Sequence, residues 1–235
     1  MNLVLLFEED FVGPDRVMLR GRRARHVIDV HRVSAGDELT VGVAGGGIGR
    51  GVVIRLDAEA VEMSVALDRD PPPPLPLTLV LALPRPKVLN RVVAAATSMG
   101  IKQLYLVNAW RVEKSYWHSP RLSEDNLLLQ RILGLEQGRD TILPRIELRR
   151  LFRPFVENEL PAIVSGTRAL VAHPPAPAPA PRTVPGPVTL AIGPEGGFID
   201  AEIASLERIG FEPVSLGERV LRVETALATM VGRLF

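Results

Sequence analysis

The sequence predicts an α/β protein in which a domain with a parallel sheet follows a smaller, mostly β domain. From residue 77 onward, apolar strand-like runs alternate with helical patterns, as in βα units. Residues 1–70 instead alternate apolar and polar positions between glycine-rich turns, as short antiparallel strands do. Four consecutive prolines between the two patterns cannot lie inside a helix or a central strand. We therefore expect a β domain at 1–70, a proline-rich linker at 71–76 and an α/β domain at 77–235.

The β domain contains a glycine-rich run, "GGGIGRG" at 45–51, that resembles a nucleotide-binding loop. Such a loop needs a strand before it and a helix after it. Here a second strand, "VVIRL", follows directly. We therefore interpret the run as a hairpin turn. Upstream, the valines of "RARHVIDVHRVSAGDEL" have helical or irregular spacing before a turn at Gly36.

The second domain contains five predicted strands, "LTLVLAL", "IKQLYLVNA", "RALVAH", "PVTLAIG" and "FEPVSLG". Helices are predicted at "KVLNRVVAAATSMG", ending at Gly100, and at "SEDNLLLQRILGLEQ", with Ser123 as N-cap. Further helices are predicted at "RPFVENEL", at "DAEIASLERIG", with Asp200 as cap, and at "VETALATMVGRLF". The Pro-Ala run at 173–187 is predicted to be a surface excursion that packs against no core.

Composition excludes several classes of protein. With 46% apolar and 23% charged residues, the chain is typical of globular proteins. It has no cysteine, so disulfides and thiolate metal sites are excluded. The histidines lack metal-ligand spacing, so no structural metal is expected: His26, His31, His118 and His173. The first residues do not resemble a signal peptide and no apolar run approaches about 20 residues, so we expect a cytoplasmic protein without membrane spans.

Basic side chains cluster in two segments, although the formal net charge is only +1. Residues 16–32 contain six arginines against one acid, and residues 85–121 contain seven basic side chains against one acid. Such clusters favour an anionic partner at a defined place. The candidate phosphate-binding residues are Arg22, Arg23, Arg25, Arg32, Lys87, Arg91, Arg111 and Lys114. Trp110, Tyr116 and Trp117 lie in the second cluster and either stack on bases or pack in the interior or against a partner.

Three stretches each follow the end of a predicted strand: "VAHP" (171–174), "IGPEGG" (192–197) and "SLGERVLRVETA" (215–226). Ligands bind beyond the carboxyl ends of strands in an open parallel sheet. Glycines in two of these stretches allow main-chain amides to approach a ligand closely. Any strand-to-helix turn favours glycine and proline, but three such loops at one edge, one of which carries Glu195, predict a pocket.

"IGPEGGFIDAEI", followed by "SLGERVLRVETALA", resembles the C-terminal signature of the RsmE family, and "RHVIDVHRVSAGD" resembles its N-terminal segment. The resemblance implies a SPOUT-class methyltransferase with a C-terminal trefoil knot, a PUA-like β-barrel domain and a homodimer whose pocket borders the partner. It also implies S-adenosylmethionine as cofactor and N3 of uridine in small-subunit (16S) ribosomal RNA as target. The implied cofactor-binding residues are Ala172, His173, Pro174, Ile192, Gly193, Pro194, Glu195, Gly196, Gly197, Ser215, Leu216, Gly217, Val220, Leu221, Arg222, Thr225 and Ala226.

A catalyst of this reaction must remove the N3 proton and stabilise the charge that spreads to the carbonyl oxygens. We predict Arg222 as the stabilising cation, and Glu195 or Glu224 as the proton acceptor or as the group that orients Arg222. The stretch "NAWRVEKS" (108–115), expected on the RNA side, departs from the family pattern. Two alternatives therefore stay open: another target such as a ribose 2′-oxygen, or a non-catalytic RNA-binding assembly factor.

Overall fold

The structure, a computed structural model, describes residues 2–235 except the side chain of His31, so the expectation for that histidine lies outside the described residues. The chain forms two compact units. The first comprises the residues up to Pro73 together with Ile132–Leu143, and the second comprises Pro74–Arg131 and Pro144–Phe235. None of the helices within residues 2–235 is long and apolar enough to cross a membrane.

The first unit contains a six-stranded sheet in the order β1-β4-β5-β6-β3-β2. The strands are β1 (Val4–Leu6), β2 (Phe11–Gly13), β3 (Arg16–Arg20), β4 (Glu38–Val43), β5 (Ile48–Leu56) and β6 (Ala60–Arg69). β1 and β4 pair in parallel, and the other pairs are antiparallel. No pairing joins β1 to β2 in the described residues, so the sheet is mixed and open there, and the expected barrel is not confirmed. The hairpin turn is confirmed, because β4 and β5 pair on either side of Ala44–Gly47.

Alternating side chains of this sheet form a buried core, which includes Val61, Met63 and Val65 of β6. Helix α1 (Gly21–His26) follows β3 and continues as a π-helical turn, Val27–His31. The turn ends at Arg32, whose φ of 52° is left-handed. The valines in this segment therefore follow a helical pattern that closes with an irregular end.

The segment 132–143 belongs to the first unit, which the sequence did not predict. Its Leu135 is fully buried among Leu3, Leu5 and Ile48. The backbone amides of Asn2 and Leu3 donate to the carbonyl of Glu136 at 3.1 and 3.0 Å. The apolar pattern of a helix gives no signal for which of two cores its end will join.

The second unit contains a six-stranded, fully parallel sheet in the order β12-β10-β11-β7-β8-β9, which confirms the α/β prediction. The strands are β7 (Leu75–Ala82), β8 (Ile101–Val107), β9 (Arg145–Arg149), β10 (Arg168–Ala172), β11 (Val188–Ile192) and β12 (Glu212–Val214). β9 was not predicted, because its five residues alternate too briefly to stand out. β11 is buried along its whole length, as expected for a strand covered on both faces.

The helices of the chain after α1 are α2 (Pro86–Ser98), α3 (Glu124–Gly138), α4 (Phe152–Pro154), α5 (Leu160–Val164), α6 (Asp200–Glu207) and α7 (Val223–Leu234). A π-helical turn, Phe155–Glu159, separates α4 from α5. Gly100 follows α2 with a φ of 82°, as predicted for a left-handed C′ residue. The prediction for Asp200 is wrong: the N-cap of α6 is Ile199, whose amide donates to the Glu202 carboxylate at 3.0 Å, and Asp200 is the first helical residue.

The prediction that the Pro-Ala run lies only on the surface is also wrong. Ala176, Ala180 and Val184 are buried while the residues between them are mostly exposed. The Ala180 amide donates to the Ser215 carbonyl at 2.7 Å, and the Val184 amide to the Leu234 carbonyl at 2.7 Å. Alanine is small enough to pack closely. Proline has no N–H group, and several of the main-chain amides and carbonyls that the run does have form hydrogen bonds with neighbouring segments.

Candidate active site

Three loops meet beyond the carboxyl edge of the parallel sheet because their strands are neighbours. β10 lies between β12 and β11, and Ala172, its last residue, is paired with Ile192 and with Val214. The three strands therefore end at the same level. The His173 amide donates to the Val214 carbonyl at 2.9 Å and joins the first loop to the third. Between the loops lies a cavity of about 290 Å³.

Most residues predicted to bind a cofactor line this cavity. Ser215, Arg222 and Thr225 do not. Those that line it are Ala172, His173, Pro174, Ile192, Gly193, Pro194, Glu195, Gly196, Gly197, Leu216, Gly217, Val220, Leu221 and Ala226. The sequence reasoning missed further lining residues, namely Arg111, Pro175, Phe198, Val214, Arg219 and Val223. All of these but Arg111 are in or directly beside the three loops, so only Arg111 had no local signal.

The loop 193–197 turns sharply between β11 and α6. The Gly197 amide donates to the Pro194 carbonyl at 2.7 Å, and Gly197 has a φ of 74°, which favours glycine. A Cβ at Gly193 would lie 2.9 Å from the Phe198 amide nitrogen. Glycine at both positions therefore allows the main chain to fold closely around one side of the cavity.

Two basic residues hold this loop from outside it. The Arg111 guanidinium donates to the Gly196 carbonyl. The Arg85 amide donates to the Glu195 carboxylate at 3.0 Å. Arg85 follows β7 and Arg111 follows β8, so two further strand ends brace the loop.

The third loop is held by the Pro-Ala run. The Ser215 amide donates to the Ala178 carbonyl at 2.8 Å, and the Ser215 carbonyl accepts from Ala180. The Arg233 side chain, near the end of α7, donates to the Ala180 carbonyl at 2.6 Å. Ser215 therefore does not line the cavity but fixes the backbone that leads to Leu216 and Gly217.

The three predicted catalytic residues lie in two loops of this site and are not bonded to one another. Arg222 is the N-cap of α7, between the lining residues Leu221 and Val223. Its side chain is exposed and, within residues 2–235, makes no hydrogen bond or ion pair. Glu195 lines the cavity. The Glu224 carboxylate accepts from Arg91 at 3.1 Å.

The predicted phosphate-binding residues differ in how free they are. Arg23 is bound within the first unit, since its guanidinium pairs with Asp10, donates to the Leu5 carbonyl at 2.8 Å and lies over the Phe7 ring. Arg22 is 3.4 Å from Glu136. Arg91 and Arg111 have the partners given above. Arg25, Arg32, Lys87 and Lys114 are exposed and, within residues 2–235, their side chains make no hydrogen bond or ion pair.

The aromatic residues of the second basic cluster also separate. Trp117 is 8% exposed, and its indole N–H donates to the Asn108 side-chain oxygen at 2.8 Å. Tyr116 is half-buried and donates to Glu113 at 3.1 Å. Trp110 is 79% exposed. Among the described residues, no cluster of three histidine or acidic side chains has the geometry of a metal site.

Comparison with known proteins gives consistent matches. The family model for an RNA methyltransferase domain matches residues 71–234. The chain is 29% identical to ribosomal RNA small subunit methyltransferase E of Treponema pallidum over 96% of this chain and 87% of that protein. It is 22% identical to ribosomal RNA small subunit methyltransferase E 1 of Borreliella burgdorferi over 96% of this chain and 94% of that protein.

A solved structure of ribosomal RNA small subunit methyltransferase E from Neisseria gonorrhoeae, bound to S-adenosyl methionine, has the same fold. The TM-score is 0.76 at 22% identity, over 98% of this chain and 95% of that chain. The predicted resemblance to the RsmE family is confirmed by these matches. The chain therefore belongs to the RNA methyltransferase domain family.

Proposed function

We propose that this protein is a methyltransferase that uses S-adenosylmethionine to methylate N3 of uridine in small-subunit ribosomal RNA. One observation carries the proposal: the loops after β10, β11 and β12 enclose a single cavity in a chain of the RNA methyltransferase domain family. The names of its relatives support ribosomal RNA as the substrate. The resemblance to the RsmE family supports uridine N3 as the target.

The lining of the cavity fits an adenosine carrying a charged amino-acid tail. Apolar side chains such as Ile192, Phe198 and Leu216 form walls suited to an adenine ring. At Gly193 and Gly197 the main chain itself forms the wall, so amides and carbonyls are within reach of ribose and amino-acid groups. A side chain at Gly193 would disturb this fit, because its Cβ would lie 2.9 Å from the Phe198 amide nitrogen and the loop would have to shift.

Methylation at N3 needs more than alignment, because N3 of uridine carries a hydrogen. When bound, S-adenosylmethionine supplies a methyl group already activated as a sulfonium. The loops hold the acceptor in line with it and exclude water. As the N3 proton leaves, negative charge spreads over the uracil carbonyl oxygens, and a nearby cation lowers the energy of that anion.

Arg222 is the residue placed to provide this cation. It lies at the rim of the cavity with an unpaired guanidinium, so no ion pair must be broken to reach the base. It is also the N-cap of α7, where the helix dipole adds positive potential. Both contributions favour a developing anion at the same place.

Glu195 is the better placed proton acceptor of the two carboxylates, because it lines the cavity. Glu224 is paired with Arg91, and this pair ties it to α2. We assign Glu224 to fixing the start of α7, which carries Arg222. A target base in helical RNA must also be turned out of its stack to reach the site.

We further propose the remaining features that the family resemblance implies. These are a C-terminal trefoil knot, a PUA-like role for the first unit in RNA binding, a homodimer whose pocket borders the partner, and a cytoplasmic location. The exposed Arg25 and Arg32 support an RNA contact by the first unit. Arg23 is not part of this contact, because its guanidinium is committed to Asp10.

Mass spectrometry of 16S ribosomal RNA nucleosides from a deletion strain tests the substrate. Loss of 3-methyluridine, restored by the wild-type gene, is the expected result. Loss of a 2′-O-methylated nucleoside would contradict the N3 assignment. An unchanged set of methylated nucleosides, together with no binding of S-adenosylmethionine, would support the alternative of a non-catalytic RNA-binding assembly factor.

With the purified protein, Arg222→Ala should retain cofactor binding and lower turnover by about 100-fold, as expected when a group that stabilises the transition-state charge is removed. Arg208→Ala, an exposed arginine on the C-terminal side of α6, is the matched control and should retain turnover. Unchanged turnover in Arg222→Ala would remove this arginine from the mechanism.

A further inference from the structure

Trp110 presents its indole to solvent from a backbone that is firmly held. The side chain is 79% exposed, while Ala109 before it is 3% exposed and Val112 two residues on is 7% exposed. The Val112 amide donates to the Ala109 carbonyl at 3.0 Å, which closes a turn with Trp110 in its first central position. The indole is thus the protruding part of a turn whose two ends are in the core.

A buried carboxylate fixes this turn further. The Trp110 amide donates to Glu202 at 2.7 Å, and the other oxygen of the same carboxylate caps α6. Glu202 is 7% exposed. Because the turn is tied to the start of α6, the position of Trp110 is set by the same element that follows the loop 193–197.

The next residue places the indole beside the cavity. Arg111 lines the cavity and donates to the Gly196 carbonyl, whereas Trp110 is not among the lining residues. Trp110 therefore lies outside the cavity by one residue. A base stacked on the indole would therefore lie next to a residue that lines the cavity.

The chain contains only two tryptophans, and one is buried whereas the other is exposed. Trp117 is buried with its indole N–H paired to Asn108, so it is part of the core. Leaving a large aromatic group in water forgoes the stabilisation that burial would bring. The nearby cations, Arg111 and Lys114, favour a polyanion as the partner of the exposed indole.

We propose that Trp110 is a stacking platform for a nucleobase that flanks the methylated nucleotide in the RNA substrate. Aromatic side chains next to phosphate-binding cations are how single-stranded RNA is held, because every base offers a face for stacking. The inference rests on the proposed function for its RNA substrate. It adds a substrate-binding residue on a segment, 108–115, that departs from the family pattern.

Tryptophan fluorescence tests the platform directly, without any methylation. Oligouridylate of about 12 nucleotides, a length in the range of single-strand binding sites, should quench the emission of the wild-type protein. A ribose-phosphate oligomer of the same length without bases should not. Trp110→Phe should retain only the emission of Trp117, unaffected by either oligomer. Equal quenching by the oligomer without bases would overturn the proposal.

Kinetics then separates stacking from a structural role. Trp110→Ala should raise the KM for ribosomal RNA about tenfold, the size expected for one lost stacking contact, with kcat and the Kd for S-adenosylmethionine unchanged. Trp110→Phe should restore most of the affinity. The salt dependence of binding should stay as in the wild type, because no phosphate contact is removed.

Two results would count against the platform in particular. One is an unchanged KM in Trp110→Ala. The other is a wild-type protein that sediments as a dimer and a Trp110→Ala variant that sediments as a monomer. That result would assign the indole to the contact with a second copy of this chain. If instead the wild-type protein methylates no RNA while base-dependent quenching persists, the proposed function fails and the stacking site stands.

Discussion

Two glycine-rich segments of this chain have similar composition and opposite roles. The run 45–51 of the first unit forms the turn after β4 and the first residues of β5, and a Cβ at its Gly49 would lie 1.8 Å from the Ala66 carbonyl oxygen. The loop 193–197 of the second unit lies between a strand and a helix, and it borders a cavity. In the first segment glycine lets two strands approach; in the second it leaves space for a ligand.

The bonds that hold the two segments differ in the same way. The side-chain hydroxyl of Thr141, a fully buried residue, donates to the Gly46 carbonyl at 2.5 Å. The Gly196 carbonyl accepts from Arg111, an exposed charged residue. A neutral buried bond serves packing, whereas a cation kept at a cavity rim is available to a substrate. The element that comes after a glycine-rich run, a strand or a helix, therefore indicates the role of the run better than its composition does.

The largest expected effect is on folding. Gly49→Ala should lower the free energy of unfolding by about 3–5 kcal/mol, because the new Cβ meets main chain that cannot yield without breaking the pairing of β5 and β6. Urea unfolding measures it. Gly46→Ala, whose Cβ would be 3.4 Å from its nearest neighbour, is the control and should change little. Equal effects of both substitutions would break the comparison.

Gly193→Ala should act on ligand binding more than on folding. Its Cβ would lie 2.9 Å from the Phe198 nitrogen and would displace the loop by some tenths of an ångström. Losing one well-aligned main-chain contact corresponds to about a tenfold weaker Kd for S-adenosylmethionine, measurable by calorimetry. Gly232→Ala in α7, where a Cβ meets nothing within 4 Å, should leave the Kd unchanged. An unaltered Kd in both variants would count against the proposed cofactor loop.

The buried carboxylate of the first unit gives a smaller, pH-dependent effect. Burial raises the pKa of Glu136 above its usual 4.5, against the opposing charge of Arg22. The folded state therefore binds this proton more tightly, and the contribution of Glu136 to the free energy of unfolding should fall as pH rises above about 4.5. Glu136→Gln should abolish this pH-dependent loss, which amounts to about 1 kcal/mol of the free energy of unfolding.

Urea unfolding across this pH range provides the measurement. Glu59→Gln, at an exposed position of the same unit, should leave the slope as in the wild type. If the Glu136 variant keeps the wild-type slope, this carboxylate does not set the pH dependence.

The smallest expected effect is at Arg111. Arg111→Ala removes the exposed hydrogen bond from its guanidinium to the Gly196 carbonyl. This variant should bind the cofactor about threefold more weakly, as is typical when an exposed charged contact is lost. Arg121→Ala, in the same basic segment but away from the loop, should leave the Kd unchanged. A loss as large as that of Gly193→Ala would mean that Arg111 contacts the cofactor itself.

Local pattern predicted the alternation of strands and helices, the hairpin and the three loops, because these depend on periodicity and on turn residues. It could not predict that the end of α3 joins the first unit, since Leu135 packs against residues about 130 positions earlier in the sequence. The burial of Ala180 depends on the third loop and on α7. Arg23 was predicted to bind phosphate from its place in a basic cluster. Its pairing with Asp10 is a tertiary contact, which the local sequence pattern does not reveal.

A crystal structure of the protein soaked with S-adenosylmethionine tests the central claim most directly. We expect the sulfonium nucleoside in the cavity, in contact with main-chain atoms of 172–174, 193–197 and 215–221. Density for the molecule at any other place, or these three loops found apart from one another, would contradict the proposed cofactor site.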